Sequence, residues 1–316
     1  MNGRPEVSVV MSVYNGGPTL SRTVESVLSQ DHPSFEFLII DDGSTDETSE
    51  VLAELAQVDS RIRIVTQSNQ GITAALIRGC AEARGDFVAR QDCGDLSLPG
   101  RLRLQSEALR DDVGAVLCVC GLRLVTRSGT VVGEIVPDAS SEELTRRLSI
   151  DMTGVPGHGS VMFRREACEA VGGYRLPFYY SQDCDLWLRL LAHGRMLGVG
   201  EVLYEFDIDV GGISTTRSAL QTEFARLAHA AHRSRLSGME DPELMIQGEK
   251  LKAAALLVRG RRPDRYQVSA AYYRVAAMLS QAGSGEARSY LWRSIRTCPY
   301  YWRAWVRLLG PGMGGN

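Results

Sequence analysis

The stretch Phe35-Glu36-Phe37-Leu38-Ile39-Ile40-Asp41-Asp42-Gly43-Ser44-Thr45-Asp46-Glu47-Thr48 decides how the chain reads. It begins as a short, mostly apolar run, the pattern of a parallel strand buried on both faces. It ends in acids, hydroxyls and one glycine, residues that make turns and cap helices. A helix carrying Val51, Leu52 and Leu55 follows. The same order recurs on either side. Upstream, Val7–Val13 is apolar, Tyr14-Asn15-Gly16-Gly17-Pro18 is a turn cluster, and residues 19–30 place Leu20, Val24, Val27 and Leu28 at helical spacing. Downstream come a strand at Ile62–Thr66, a helix at 73–84, and a strand at 86–90 that leads into Asp92-Cys93-Gly94-Asp95. This alternation predicts an open, mostly parallel α/β sheet flanked by helices.

Ligands of such sheets bind beyond the carboxyl ends of the strands. The polar clusters at 12–15, 41–44 and 92–95 all follow strands, so the pattern brings three strand ends to one edge. The middle of the chain is less regular. Ala115–Val125 and 130–136 read as paired strands, 140–148 as a short helix, and 183–193 as an amphipathic helix with Leu186, Trp187, Leu190 and Leu191 on one side and Arg189 on the other. After about Gly212 the pattern becomes helical throughout, with helices expected at 218–236, 243–258, 266–282, 286–297 and 301–309. The expected division is therefore an α/β domain at 1–212 and a helical region at 213–316. Residues 264–310 are weakly similar to tetratricopeptide-type helix pairs, and a plain helical cap is the simpler reading.

Composition narrows the function. The 316 residues are 44% hydrophobic and 23% charged, values of an ordinary globular chain with room for two domains. A net charge of −3 gives no basic field for nucleic acid. Lys250 and Lys252 are the only lysines, so nearly all the basic residues are arginines. The seven cysteines are odd in number and scattered, which argues against a disulfide framework and a zinc site and fits a reducing cytoplasm. Neither a signal peptide nor an apolar run long enough to span a bilayer is visible, and a peripheral membrane contact stays open.

Four segments carry a resemblance. They are VSVVMSVYN at 7–15, FEFLIIDDGSTDET at 35–48, NQGITAALIRGCAEARGDFVARQDCGDLSLPGRLRLQ at 69–105, and HGSVMFRREACEAVGGYRLPFYYSQDCDLWLRL at 158–190. In content and order they resemble the family 2 glycosyltransferases, which have the GT-A fold. The resemblance covers about the first 210 residues. It implies that Ser12 and Tyr14 line a nucleotide pocket, that Asp42 accepts a hydrogen bond from the base, and that Asp92 sits near the ribose. It implies that Asp183 is the catalytic base, deprotonating an acceptor hydroxyl that attacks the anomeric carbon with inversion. The donor would be a nucleotide sugar, first of all a UDP-sugar. The acceptor would be a bacterial surface glycan, a lipid-linked glycan or a small molecule. The diphosphate gains charge as it leaves, a task that Mg²⁺ or Mn²⁺ commonly meets.

The departures bear on activity. The family's Asp-x-Asp-Asp is here Asp92-Cys93-Gly94-Asp95, so glycine stands where a metal ligand is expected and Asp95 is the substitute candidate. Gln182 replaces a glutamate before Asp183. Asp207 and Asp209 stand where many relatives have a cationic motif, and either could replace the ligand missing at Gly94. Arg90, Arg189 and Arg217 are candidate phosphate partners by position, and His158 is a candidate acceptor or phosphate contact or a turn residue. Cys93 and Cys184 read as small fillers. The rival expectation is a catalytically impaired protein that binds a nucleotide sugar or acts as a scaffold. A nucleotidyltransferase is weaker, because no glycine-rich basic loop follows the first strand.

Overall fold

The computed structural model describes residues 3–208, 212, 217–239, 242–258 and 263–310. The strand–helix alternation expected for the first half is present. Strands β1 (Val7–Val13), β2 (Phe35–Asp41), β3 (Ile62–Thr66) and β4 (Phe87–Asp92) alternate with helices α1 (Leu20–Leu28), α2 (Thr48–Val58) and α3 (Ile72–Glu82). They pair in the order β3-β2-β1-β4, all parallel. Both faces are buried because the side chains alternate. Val10, Leu38 and Ile40 enter one core under α3, while Val9, Met11, Phe37 and Ile39 enter a second core under α1 and α2.

The second half adds β5 (Leu96–Ser97), β6 (Ala115–Val125), β7 (Val131–Ile135), β8 (Val161–Arg164) and β9 (Arg195–Asp207). β8 runs antiparallel to both β4 and β6, β7 and β5 are antiparallel edge partners, and β9 pairs parallel to β6. The sheet is therefore mixed, and the parallel order holds for its first four strands. Apolar periodicity marks strands without giving their direction, which chain connectivity settles.

Helices α4 (Arg101–Asp111), α5 (Ser141–Ser149), α6 (Arg165–Ala170) and α7 (Gln182–Leu190) cover this half. Ser140 caps α5, its hydroxyl accepting from the Glu143 N–H. The expectation of an amphipathic helix over 183–193 needs correction. α7 stops at Leu190, and every one of its residues from Cys184 to Leu190 is buried. α8 (Ser218–Leu236) packs across the face that would otherwise meet water. α9 (Pro242–Leu257) joins the same core through Ala255.

The last helices, α10 (Arg265–Gln281), α11 (Ala287–Thr297) and α12 (Trp302–Leu309), build a core of their own from Val275, Leu279, Leu291, Ile295 and Leu308. It meets the sheet at Val132 and Leu124. Among the described residues no helix is long and apolar enough to cross a membrane.

Candidate active site

The parallel register brings the strand ends together. Ser12 lies opposite Asp92 on β4 and opposite Ile40 on β2, and Val13 lies opposite Asp41. Tyr14, just past β1, is half-exposed. Ser12, Tyr14, Asp42 and Asp92 therefore share one edge, as the motif order implies.

Asp41 and Asp42 divide two tasks. Asp41 holds its own loop, accepting from the Ser44 N–H and the Ser49 hydroxyl at 2.9 and 2.5 Å. Asp42 is buried and accepts from Gln67 Nε2 at 2.8 Å, the Gln70 N–H at 2.9 Å and the Gly71 N–H at 2.7 Å. A carboxylate offers about four lone-pair sites, so about one remains for a base.

Asp92 ends β4, and its Oδ1 accepts from Arg90 Nη2 at 2.9 Å. Arg90 is wholly buried. It also donates to the Val10 carbonyl and, at 3.0 Å, to His158 Nε2. The Tyr174 hydroxyl reaches the same nitrogen at 2.8 Å. Two donors on Nε2 require a neutral imidazole with its proton on Nδ1. Burial, with Arg90 beside it, holds the His158 pKa well below the ordinary range in keeping with this. His158 thus orients Arg90 and is itself edge-packed on Trp187 of α7 at 5.8 Å.

Asp183 lies in the first turn of α7, recessed, with its Oδ1 accepting from the Cys184 N–H at 2.8 Å. Burial, with Asp92 nearby adding like charge, lifts its pKa to about 6. Trp187, one turn further on, links this helix to the His158–Arg90–Asp92 chain.

The other candidates are placed differently. Asp95 is buried, accepting from the Tyr204 hydroxyl at 2.9 Å and the Asp207 N–H at 3.0 Å. Burial and the neighbouring Asp92 raise its pKa well above the carboxylate range. Gly94 has a φ of 106°, a conformation that suits glycine. Asp92 has one oxygen on Arg90, Gly94 offers none, and both Asp95 oxygens are taken. These residues fit a protein-held divalent cation poorly. Among the described residues no three His, Cys, Asp or Glu side chains gather as a metal-binding group. Asp207 comes beside Asp95 through its backbone, and Asp209 lies outside the described residues.

Neither Arg90 nor Arg189 is a surface charge or a phosphate arm. Arg189 donates to Asp185 at 2.8 Å and to the Val171 and Gly173 carbonyls. Arg217 donates to the Val258 carbonyl. Cys93 and Cys184 have thiols pushed up by burial, Cys93 to about 11, in keeping with their reading as fillers.

Sequence reasoning missed the scaffold under the site. Arg101 is fully buried, bonds Gln91, Ser97 and the carbonyls of Arg90 and Gly159, and stacks on Tyr204 at 4.7 Å. A Cβ on Gly159 would lie 2.0 Å from the Tyr204 hydroxyl oxygen. Only the Gly157-His158-Gly159 spacing hinted at such close approach. Behind residues 157–160 lies a cavity of about 200 Å³ lined by Val119, Leu122, Pro137, Leu144 and Met196.

The model of glycosyl transferase family 2 matches residues 8–172, just over half of the chain. TuaG of Bacillus subtilis (strain 168), named as a teichuronic acid biosynthesis glycosyltransferase, is 31% identical over 219 residues, 68% of this chain and 84% of TuaG. Two solved structures share the fold. The mannosyltransferase PcManGT from Pyrobaculum calidifontis, in complex with GDP-Man and Mn²⁺, aligns with a TM-score of 0.54 at 19% identity, over 97% of this chain and 84% of its own. S. aureus TarS 1-349 in complex with UDP-GlcNAc aligns with a TM-score of 0.54 at 14% identity, over 96% of this chain and 92% of its own. With its motifs in order at one edge of a GT-A-type sheet, the chain belongs to glycosyl transferase family 2.

Proposed function

We propose that the protein transfers a sugar from a nucleotide-sugar donor, first of all a UDP-sugar, to an acceptor hydroxyl with inversion. The observation that carries this reading is Asp183, a recessed carboxylate whose pKa is lifted to about 6 by burial and by nearby Asp92, which itself lies opposite Ser12 at the strand edge. A general base works best with a pKa near the working pH. Ionised, Asp183 takes the acceptor proton as the oxygen attacks C1, and its charge faces the oxocarbenium-like centre. The C1–O bond to the diphosphate breaks on the opposite face. Tyr14 packs on the base, the remaining lone pair of Asp42 accepts from it, and Asp92 meets the ribose. The poor fit to a protein-held cation leaves the metal out of these steps.

Bacterial surface-glycan synthesis is the setting proposed, in line with the name of TuaG. The apolar cavity beside residues 157–160 suits the apolar part of a lipid-linked acceptor. Gly94 in place of a carboxylate and the inward turn of Asp95 favour a second reading, a protein that binds the donor without transferring it.

The test is a donor screen. UDP-, GDP- and TDP-sugars are incubated with the protein, with and without Mn²⁺, and diphosphate release is measured beside UDP binding by calorimetry. Release from a UDP-sugar, lost in Asp183→Asn while UDP still binds, supports transfer. UDP binding with no release from any donor supports the second reading, and no binding at all removes both.

A further inference from the structure

Residues 287–310 carry Arg288, Arg293, Arg296, Arg303 and Arg307 and not a single acid, in a chain of net charge −3. Among the described residues none of the five forms an ion pair. Three of them lie over aromatic rings instead, Arg293 on Tyr290, Arg303 on Trp302 and Arg307 on Tyr273. The same segment holds Trp292, Trp302 and Trp305, three of the four tryptophans in the chain.

α12 is apolar on two faces. Ala304 and Leu308 point into the tail core. Trp302, Val306 and Leu309, spaced four and three apart, line another face and are 61%, 59% and 77% exposed. Trp292 of α11 extends this stripe, its ring edge-on to Trp305 at 6.0 Å, and Tyr300 between the helices is 90% exposed. Arg288 and Arg296 flank Trp292 one turn away on either side, and Arg303 flanks Trp302. Burial inside the chain does not account for this stripe.

We propose that this face docks on a membrane surface that contains anionic lipids. Tryptophan and tyrosine rings settle at the level of the headgroups. The Trp302–Val306–Leu309 face can sink beneath them, as the apolar faces of in-plane helices do. The arginine forks then meet lipid phosphates while their stems lie along the apolar boundary. Each arginine held near such a surface raises the partition about fivefold. An acidic protein is the less apt partner. α12 is about 12 Å long and carries a convex stripe, whereas a stable protein interface needs roughly 800 Å² of fitted surface per side. A fluid bilayer needs no fitted shape.

The test is sedimentation of the full chain with vesicles of phosphatidylcholine alone and of phosphatidylcholine with phosphatidylglycerol in equal parts. The protein pellets with the mixed vesicles, stays in solution with the neutral ones, and is released by salt. Arg296→Glu with Arg303→Glu lowers the partition by about twentyfold or more. Trp302→Ser with Leu309→Ser also lowers it, and these exposed substitutions leave thermal unfolding and donor hydrolysis unchanged. Equal pelleting with neutral vesicles, no pelleting with either, or pelleting untouched by both double variants overturns the proposal. So does a soluble dimer that Trp302→Ser dissolves in the absence of any vesicle binding. The pelleting and unfolding readouts do not depend on whether the sheet edge is catalytic.

Discussion

Asp183 sits recessed in the first turn of α7 with a pKa of about 6, against an ordinary 3.8. Between those values the folded chain binds more protons than the unfolded one. Stability therefore falls as pH rises through that window and stays lower above it. The carboxylate proposed as base is thus held at the expense of the fold. Asp183→Asn is expected to abolish transfer and to melt higher than the parent above pH of about 6, the difference closing near the ordinary pKa. Transfer in the parent falls on acidification through the same pKa. Thermal unfolding at two pH values and a pH–rate profile check this, and a variant keeping half its activity would remove Asp183 from the role. Gly94 belongs to the same scale. Its φ of 106° admits aspartate only with strain. Gly94→Asp, which restores the family residue, is expected to cost about 1–3 kcal/mol and to confer no tighter Mn²⁺ binding. Melting temperature and calorimetry read the two effects.

At the scale of elements, the site rests on buried arginines. Arg101 begins α4 and ties it to the carbonyls of Arg90 on β4 and Gly159 before β8, while Arg90 ties β4 to β1 and His158. Asp185 holds Arg189 on its own helix and Arg175 before it. Arg101→Met would keep the volume and leave several acceptors unpaired, so it is expected to destabilise by about 3–5 kcal/mol. Urea unfolding measures this, and an unchanged midpoint would show that α4 is held by its apolar contacts alone. Helix ends were legible to within a few residues, because caps and breakers such as Ser140 and Pro299 act locally. The arginine roles were not. A guanidinium reads as a surface charge until a second element supplies the carbonyls that bury it.

At the scale of the molecule, the packing has two centres. α8 and α9 share the core of the sheet through Phe224, Leu227 and Ala255, whereas α10 to α12 have their own. Glu286 ties the latter to the β6–β7 turn, accepting from Ser128 and Thr130 at 2.8 and 2.7 Å. Leu291 is fully buried in the tail core. Leu291→Ala is expected to cost that unit about 2–5 kcal/mol and to speed amide exchange across α10 to α12, with β1 and β2 unchanged. Exchange that rises equally in the sheet would show one cooperative unit instead. In the sequence, the tail was visible as helices, and its break from the α/β pattern near Gly212 was clear. How its first two helices pack onto the core of the sheet was not.

Local pattern by itself determined the strand–helix order, the family, and the convergence of the strand ends at Ser12, Asp42 and Asp92 on one edge. Periodicity, turn chemistry and motif order all reside in short windows of chain. Only the tertiary structure decided that Asp95 turns inward to Tyr204, that Arg90 and Arg189 are spent inside the fold, and that the sheet becomes mixed after β4. Those outcomes depend on which distant groups share a buried space, and burial sets whether a charge meets water, a partner or a ligand.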